Sequence, residues 1–307
     1  MKSIAILTPS YLPDLQSFVR LHESVLRCTE VETRHHVIVP RRDLKAFREI
    51  RSPRLQVWAE SDFLPASFRP TDRLAALRRR LPILPSTINC SAINLHRPWP
   101  PVRGWILQQI LKLSAATELQ SDAVVIIDSD VILLRPMPAA TYFQDDTVRL
   151  YEKPGAVTSD LERHTRWTRT AYDLLGIPWQ GESSFPDYVG GIVSWDPNVV
   201  RACRQRIEFV TESDWATAVA GCLHFSEFIL YGTYLRHFGT EGQLSFRGSS
   251  TLCHSYWSPS PLVGRGADSF LSAYDPRDLA VHVQSNSGTP QDVIDRIVAE
   301  LVSRRAS

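Results

Sequence analysis

The chain has 307 residues and a net charge of +1, and 43% of its residues are hydrophobic. This length suits one large globular unit or two packed halves, and the balanced charge excludes a broad nucleic-acid-binding surface. No stretch approaches the ~20 consecutive apolar residues of a membrane span.

Strands alternate with a helix at the start of the chain. Residues 3–8 (SIAILT) are a short apolar run, which predicts a buried first strand. Apolar positions at helical spacing predict a helix over residues 15–26, and apolar runs predict strands over residues 36–39 and 55–59. This alternation indicates an α/β fold whose mostly parallel sheet is covered by helices on both faces. Residues 65–101 are rich in proline and arginine, so we expect a long loop-bearing excursion with one short helix.

A helix and a strand lead into the central motif. The helix is predicted over residues 103–119, and Trp105 belongs to its apolar stripe. Gln108 and Lys112 are four residues apart, so both should project from one face. The strand is predicted over residues 123–127, where every residue is apolar.

The second half of the chain is richer in prolines, aromatic residues and glycines. Periodicity predicts helices over residues 199–210, 216–238 and 291–304, and a strand over residues 279–284. No internal repeat or clear linker separates this half from the first. We therefore expect a single domain over residues 1–307.

The N-terminus and the cysteines bear on localisation. The first residues lack the apolar core and the cleavage site of a signal peptide. Five cysteines are scattered without a CxxC pair, which is typical of a reducing compartment. We expect a cytoplasmic protein without a transmembrane segment, and the sequence leaves peripheral membrane contact open.

Two aspartates interrupt an otherwise apolar run, VVIIDSDVILL, at residues 124–134. Burying an unpaired carboxylate is costly, so Asp128 and Asp130 should either leave the sheet or face a positive group. Ligands of α/β proteins collect at the carboxyl ends of strands, and two carboxylates there suit Mg²⁺ or Mn²⁺. The plain alternative is a pair of loop carboxylates that cap the next segment.

An apolar strand, Asp-x-Asp, apolar residues and then Arg135-Pro136 resemble the metal-binding segment of GT-A glycosyltransferases. Gly104-Trp105, Gln108-Gln109, Lys112, Ser226-Glu227, Tyr231-Gly232 and Val281-His282 are similar to a group of bacterial GT-A-like proteins of largely unassigned function. The resemblance spans most of the chain. It implies a Rossmann-like central sheet, with a nucleotide and donor half at about residues 1–135. The donor-sugar and acceptor half, of mixed structure, would occupy about residues 136–307 and close with a C-terminal helix.

The resemblance also implies a site for a nucleoside-diphosphate sugar. The metal, Mn²⁺ or Mg²⁺, would be held by Asp128, Asp130 and His282. Contacts to the nucleotide, phosphates and donor sugar are expected at Thr8, Pro9, Ser10, Tyr11, Lys112, Asp128, Ser129, Asp130, Gly190 and Gly191. The acceptor would be a sugar-containing or small molecule that offers a hydroxyl or amine.

Two carboxylates are the candidate catalytic residues. Glu227 would take the acceptor proton in an inverting reaction and would position substrate in a retaining one. Asp187 would contact sugar hydroxyls. The plain alternatives are an exposed surface Glu227 and a His282 that belongs to the core of its apolar strand. Gly190 and Gly191 suit either a tight turn or a close approach to a ligand.

Two other functions compete with glycosyl transfer. The Asp-Ser-Asp segment also looks like the nucleophile segment of haloacid-dehalogenase phosphatases, with Asp128 phosphorylated and Asp130 as the acid. That segment usually opens its domain, whereas here it lies deep in the chain and no late acidic metal pair is evident. The third function is a non-catalytic protein that binds a sugar nucleotide or a glycan. One or two tryptophans of the second half could stack on an acceptor sugar.

Overall fold

A computed structural model describes residues 2–71, 90–99 and 101–304 of the chain. Its helices are α1 (Leu15–Cys28), α2 (Leu44–Arg48), α3 (Glu60–Phe63), α4 (Gly104–Glu118), α5 (Glu162–Leu175), α6 (Pro197–Thr211), α7 (Trp215–Ala220), α8 (Glu227–Phe238), α9 (Arg265–Ser272) and α10 (Gln291–Ser303).

The strands follow the same order along the chain. They are β1 (Ile4–Pro9), β2 (Arg34–Val39), β3 (Leu55–Ala59), β4 (Phe68–Pro70), β5 (Cys90–Asn94), β6 (Val102–Arg103), β7 (Ala123–Ile127), β8 (Val131–Leu133), β9 (Phe143–Gln144), β10 (Thr147–Val148), β11 (Leu150–Tyr151), β12 (Lys153–Thr158), β13 (Ser184–Asp187), β14 (Ile192–Trp195), β15 (Arg247–Gly248), β16 (Cys253–Tyr256) and β17 (Ala280–Val283).

The central sheet has five strands in the order β14-β7-β1-β2-β3. Strands β7, β1, β2 and β3 are parallel to one another, and only β14 runs antiparallel, along β7. The predicted α/β fold with a mostly parallel central sheet is therefore confirmed. Every residue of β1 and β7 is buried, as expected for strands covered on both faces.

Alternate residues of the central strands pack into two separate hydrophobic cores, one on each face of the sheet. Leu7 and Ile126 pack into the larger core together with α4 and the helices of the second half. Ile6 and Val125 point to the opposite face, where they pack with α1 and with strands β8 and β17. Side chains alternate between the two faces of a strand, and here a core covers each face. Neither face of these strands is therefore polar.

The second half adds small sheets around the central one. Strand β17 lies between β16, to which it is parallel, and β8, to which it is antiparallel. Because β8 begins directly after the two aspartates, this three-stranded sheet brings β17 beside them. Among the described helices, none is long and apolar enough to cross a bilayer.

Some element predictions differ from the structure. The helix predicted over residues 216–238 is wrong as one element, since it is two helices, α7 and α8, separated by residues 221–226. Ser226 caps the second helix, and its Oγ accepts a hydrogen bond from Ile229 N. Helix α5 was not predicted at all. The short helix expected within residues 65–101 would fall largely in 72–89, which lie outside the described residues.

Candidate functional site

The loop after β1 and the aspartate segment after β7 lie side by side at the carboxyl edge of the central sheet. They meet there because β1 and β7 are neighbouring parallel strands. Ser129 Oγ donates a hydrogen bond to Ser10 Oγ at 3.0 Å. Thr8 Oγ1 donates to Ile127 O at 2.7 Å, which ties the end of one strand to the end of the other. Ligands of open α/β sheets bind at this edge.

Asp130 is paired with His282. Strand β17 runs antiparallel to β8, with His282 opposite Val131, and this register places the imidazole next to the preceding aspartate. His282 Nε2 lies 3.4 Å from Asp130 Oδ1, and Ser285 N donates to Asp130 Oδ2 at 2.9 Å. Burial disfavours ionisation of Asp130. Its hydrogen bonds outweigh that effect, so its pKa lies below the ordinary value.

Asp128 faces a different partner, Lys112. The Lys112 ammonium lies 3.3 Å from Asp128 Oδ1 and 3.0 Å from Glu227 Oε1, so it bridges the two carboxylates. Burial opposes the lysine charge, yet the two carboxylates outweigh it and raise the pKa of Lys112 above its ordinary value. Lys112 is therefore a buried, permanently charged link between β7, α4 and α8.

Helix α4 holds Glu227 through a second contact. Gln109 Oε1 accepts a hydrogen bond from Glu227 N at 2.9 Å. Lys112 Nζ also lies 4.8 Å from the centre of the Phe228 ring. Gln109 and Lys112 are both buried, whereas Gln108, four residues before Lys112, is half-buried. Only 3% of the Glu227 side chain is exposed, so the predicted alternative of an exposed surface glutamate is wrong.

The oxygen and nitrogen donors near Asp130 determine whether a divalent cation can bind there. Within residues 2–71, 90–99 and 101–304, no three or more His, Cys, Asp and Glu side chains are gathered to hold an ion. Asp130 Oδ1 and His282 Nε2 nevertheless face each other at 3.4 Å, a long contact for an N–H···O hydrogen bond. An oxygen and an imidazole nitrogen suit Mn²⁺, and Mg²⁺ usually takes one or two carboxylates plus water and phosphate. The pair fits a cation that is completed by its ligand.

The surroundings of His282 hold the ring in place. The Trp257 ring centre lies 4.2 Å from that of the imidazole. The buried Nδ1 of His282 has no hydrogen-bond partner among the described residues. Packing against an indole therefore orients the ring here, whereas many metal-binding histidines are oriented by a hydrogen bond from the other ring nitrogen.

A third carboxylate, Asp14, lies near the aspartate pair. Burial and the charges of Asp130 and Asp128 raise the pKa of Asp14 to about 6. Sequence reasoning missed this residue, which comes directly before α1 in the loop after β1. Its position in that loop was the available signal, since the loop had been assigned to the nucleotide. Burial is the larger cause of this shift and the charges of Asp130 and Asp128 add to it, so a cation beside these carboxylates would lower the pKa of Asp14.

The predicted glycine segment borders the aspartates. Ile192 of β14 pairs with Ile127 of β7, so Gly191 and Asp128 come together at one end of that antiparallel pair. A Cβ on Gly191 would lie 2.9 Å from Cys253 Sγ, which is too close for ordinary contact. Neither Gly190 nor Gly191 has a positive φ. Close packing against β16, rather than a left-handed turn, explains Gly191.

Asp187 ends β13, ahead of the glycine segment. Its Oδ1 accepts a hydrogen bond from Val189 N at 3.1 Å, which shapes the turn that follows. Burial, and then the charge of Asp187, raise the pKa of Tyr151 to about 12. Tyr231, one helical turn after Glu227 on α8, lies in the core, where its hydroxyl accepts a hydrogen bond from Asp196 N.

The chain belongs to a family of unknown function, DUF6492, whose model matches residues 3–261. No curated protein matches the sequence. Among solved structures, the chain is similar to the crystal structure of mouse Xyloside xylosyltransferase 1, apo form. The two are 13% identical, with a TM-score of 0.48, over 94% of this chain and 100% of that one.

Proposed function

We propose that the protein is a divalent-metal-dependent glycosyltransferase that moves a sugar from a nucleoside-diphosphate sugar to a hydroxyl or amine acceptor. One observation carries the proposal: the Asp130–His282 pair and the Asp128–Lys112–Glu227 chain meet at the carboxyl edge of the central sheet. That edge is where an α/β sheet binds nucleotides.

Asp130 and His282 would hold Mn²⁺ or Mg²⁺, with Asp128 as the third protein ligand. When bound, the cation would neutralise the charge that builds on the departing nucleoside diphosphate. Asp128 suits this role because 39% of its side chain is exposed at the edge, while Lys112 fixes one of its oxygens. The charges of Asp130 and Asp128, which add to burial in raising the pKa of Asp14, also favour a cation at this place.

Lys112 and Glu227 would act as positioning residues. The lysine is already bonded to two carboxylates, so it holds Asp128 in place rather than reaching for phosphate alone. The Glu227 side chain is buried and ion-paired. Of the two roles predicted for it, these contacts support positioning over removal of an acceptor proton.

The remaining residues would form the donor site. Thr8, Pro9, Ser10 and Tyr11 would border the nucleotide, and Ser129 would join them through its hydrogen bond to Ser10. The turn that Asp187 shapes, and Gly190 and Gly191 after it, would border the donor sugar, since Gly191 adjoins Asp128.

A phosphatase that uses Asp128 as its nucleophile is the main competing function. The contact between Lys112 and Asp128 would suit such a nucleophile. That mechanism also needs Asp130 to donate a proton, whereas both oxygens of Asp130 face hydrogen-bond donors, His282 and Ser285 N. Trapping of a phosphate on Asp128 would favour the phosphatase.

Thermal unfolding with a panel of nucleoside diphosphates, with and without Mn²⁺, tests the binding step. A ligand at 100 times its Kd stabilises the folded state by about 2.7 kcal/mol, which is a shift of several degrees in Tm. We expect one nucleotide to give a shift that requires Mn²⁺. Asp130→Ala should abolish that shift, and Asp173→Ala, which changes an exposed aspartate on α5, should retain it.

A full shift in the Asp130→Ala protein would refute the site. Release of nucleoside diphosphate from a donor sugar across an acceptor panel then separates the remaining possibilities. Metal-dependent binding without release from any donor and acceptor pair would favour the non-catalytic binding protein.

A further inference from the structure

An exposed tryptophan stands at the beginning of α4. Trp105 is 49% exposed, although the sequence placed it in the apolar stripe of its helix. Its Nε1 donates a hydrogen bond to Phe225 O at 3.1 Å, so the indole is fixed in orientation. Its ring is nearly parallel to that of Trp167, with 6.1 Å between the ring centres. The Arg163 guanidinium lies 5.3 Å and 4.7 Å from these two rings.

We call Trp105, Arg163 and Trp167 the Trp105 platform. Leu161 and Leu223 are also large apolar residues with high exposure, at 41% and 62%. Leu161 lies two residues before Arg163, and Leu223 lies two residues before Phe225, which the indole contacts. Neighbouring exposed apolar groups mark binding surfaces more often than isolated ones do. Arg163 is exposed and lies beside both rings. Its donors therefore remain available to a ligand beside the rings.

The platform is connected to the candidate site through α4. Trp105, Gln109 and Lys112 are spaced i, i+4 and i+7, so they follow one face of the helix. Seven residues of α-helix correspond to about 10 Å along the axis. Lys112 contacts Asp128, Gln109 contacts the first residue of α8, and Trp105 contacts Phe225 just before that helix. The platform is thus fixed to the same two helices, α4 and α8, that hold Lys112 against Asp128.

A second contact links the platform to the predicted donor-sugar segment. His164 follows Arg163 on α5, and its ring centre lies 4.7 Å from that of Trp167. Burial lowers the pKa of His164, while the nearby charge of Asp187 opposes that change. The platform thus joins the start of α4 to α5, and α5 packs against β13, the strand that ends at Asp187.

We propose that the Trp105 platform binds the glycan portion of the acceptor, with a pyranose ring against the Trp105 indole. A pyranose has a face of C–H bonds and an equator of hydroxyls, which suits an aromatic surface flanked by a few polar donors. Arg163 would donate to the ring hydroxyls or to the glycosidic oxygen. This inference rests on the proposed function, since it names the substrate class of the same enzyme.

Binding of defined sugars to the full-length protein tests the platform. The probes are the disaccharides of glucose, galactose, mannose, xylose and N-acetylglucosamine at millimolar concentration, measured by saturation-transfer NMR and by tryptophan fluorescence. Trp105→Ala should raise the apparent Kd of the bound disaccharide about tenfold. Trp105→Phe, which keeps a smaller aromatic ring, should have a lesser effect. Phe209→Ala is the control, because Phe209 is 76% exposed on α6.

Two results would overturn the platform: no disaccharide binds the wild-type protein, or Trp105→Ala binds as tightly as the wild type. Urea unfolding of each variant verifies that it is folded. The Mn²⁺-dependent nucleotide shift is measured in the same variants and should be unchanged. If that shift survives and glycan binding does not depend on Trp105, only the platform fails. If the shift is absent in the wild type and glycan binding depends on Trp105, only the proposed transferase fails.

Discussion

Replacing Lys112 by methionine should show how much the buried charge cluster of Lys112, Asp128 and Glu227 contributes to the free energy of unfolding. Lys112 Nζ lies 3.0 Å from Glu227 Oε1 and 3.3 Å from Asp128 Oδ1, and only 9% of the lysine side chain is exposed. Methionine preserves most of the side-chain length and removes the charge. The fold would then contain two carboxylates that have lost their shared cation.

The two carboxylates differ in how they can respond. Asp128 has 39% of its side chain exposed, so water can replace the lysine. Glu227 has 3% exposed and would remain a buried, unpaired charge. Removing one partner from a buried pair costs about 3–5 kcal/mol. We therefore expect Lys112→Met to lower the free energy of unfolding by about 3–5 kcal/mol, nearly all of it through Glu227.

A double-mutant cycle measured by urea unfolding tests this reasoning. Glu227→Gln in the Lys112→Met background should recover at least half of the loss, because it removes the unpaired charge. Lys45→Met, at an exposed lysine on α2, should stay within about 0.5 kcal/mol of the wild type. The reasoning is wrong if Lys112→Met costs less than about 1 kcal/mol, or if Glu227→Gln gives no recovery.

Two further changes test the packing and the buried histidines. A Cβ on Gly232 would lie 2.2 Å from the Tyr188 ring, so Gly232→Ala should destabilise by about 1–3 kcal/mol in urea unfolding. Gly266→Ala, in a helix with room for the methyl group, should be neutral or slightly stabilising, and equal losses would contradict the packing argument. Burial lowers the pKa of His22 to about 4, so its neutral form stabilises the fold above pH 6.5. Through His22 alone the free energy of unfolding should fall by about 3 kcal/mol between pH 6.5 and 4, in addition to what His35 and His36 contribute, since burial lowers their pKa values too. His22→Gln should flatten that part of the pH curve, and an unchanged slope would assign the loss elsewhere.

The strands of the central sheet were predictable because each contains a short apolar run that is visible in the sequence. Residues 123–127 and 55–59 were predicted as strands with the bounds that the structure has. Apolar runs of this kind leave few alternatives once both faces are buried. In residues 216–238, the spacing of apolar residues does not predict where one helix ends and the next begins. Helical spacing of apolar residues continues across 221–226, and only the cap at Ser226 reveals that a new helix begins.

The partners of the site residues could not be predicted, since they lie far apart in sequence. Gln109 binds Glu227 N across 118 positions, and Ser285 N binds Asp130 across 155. Two adjacent glutamines, Gln108 and Gln109, have the same chemistry. The rotation of α4 against α8 decides which of them faces inward, and that rotation depends on the packing of the whole core.

The Asp-Ser-Asp motif suggests one site shared by two equivalent acids, yet its aspartates have separate neighbours. Strand β17 brings His282 to Asp130, whereas helix α4 brings Lys112 to Asp128. The first neighbour is a potential metal ligand and the second is a cation that repels a metal. A divalent ion would therefore be anchored first at Asp130. Asp128 would contact the ion through the oxygen that Lys112 does not contact. The strength of that contact would depend on how strongly Glu227 competes with Asp128 for Lys112.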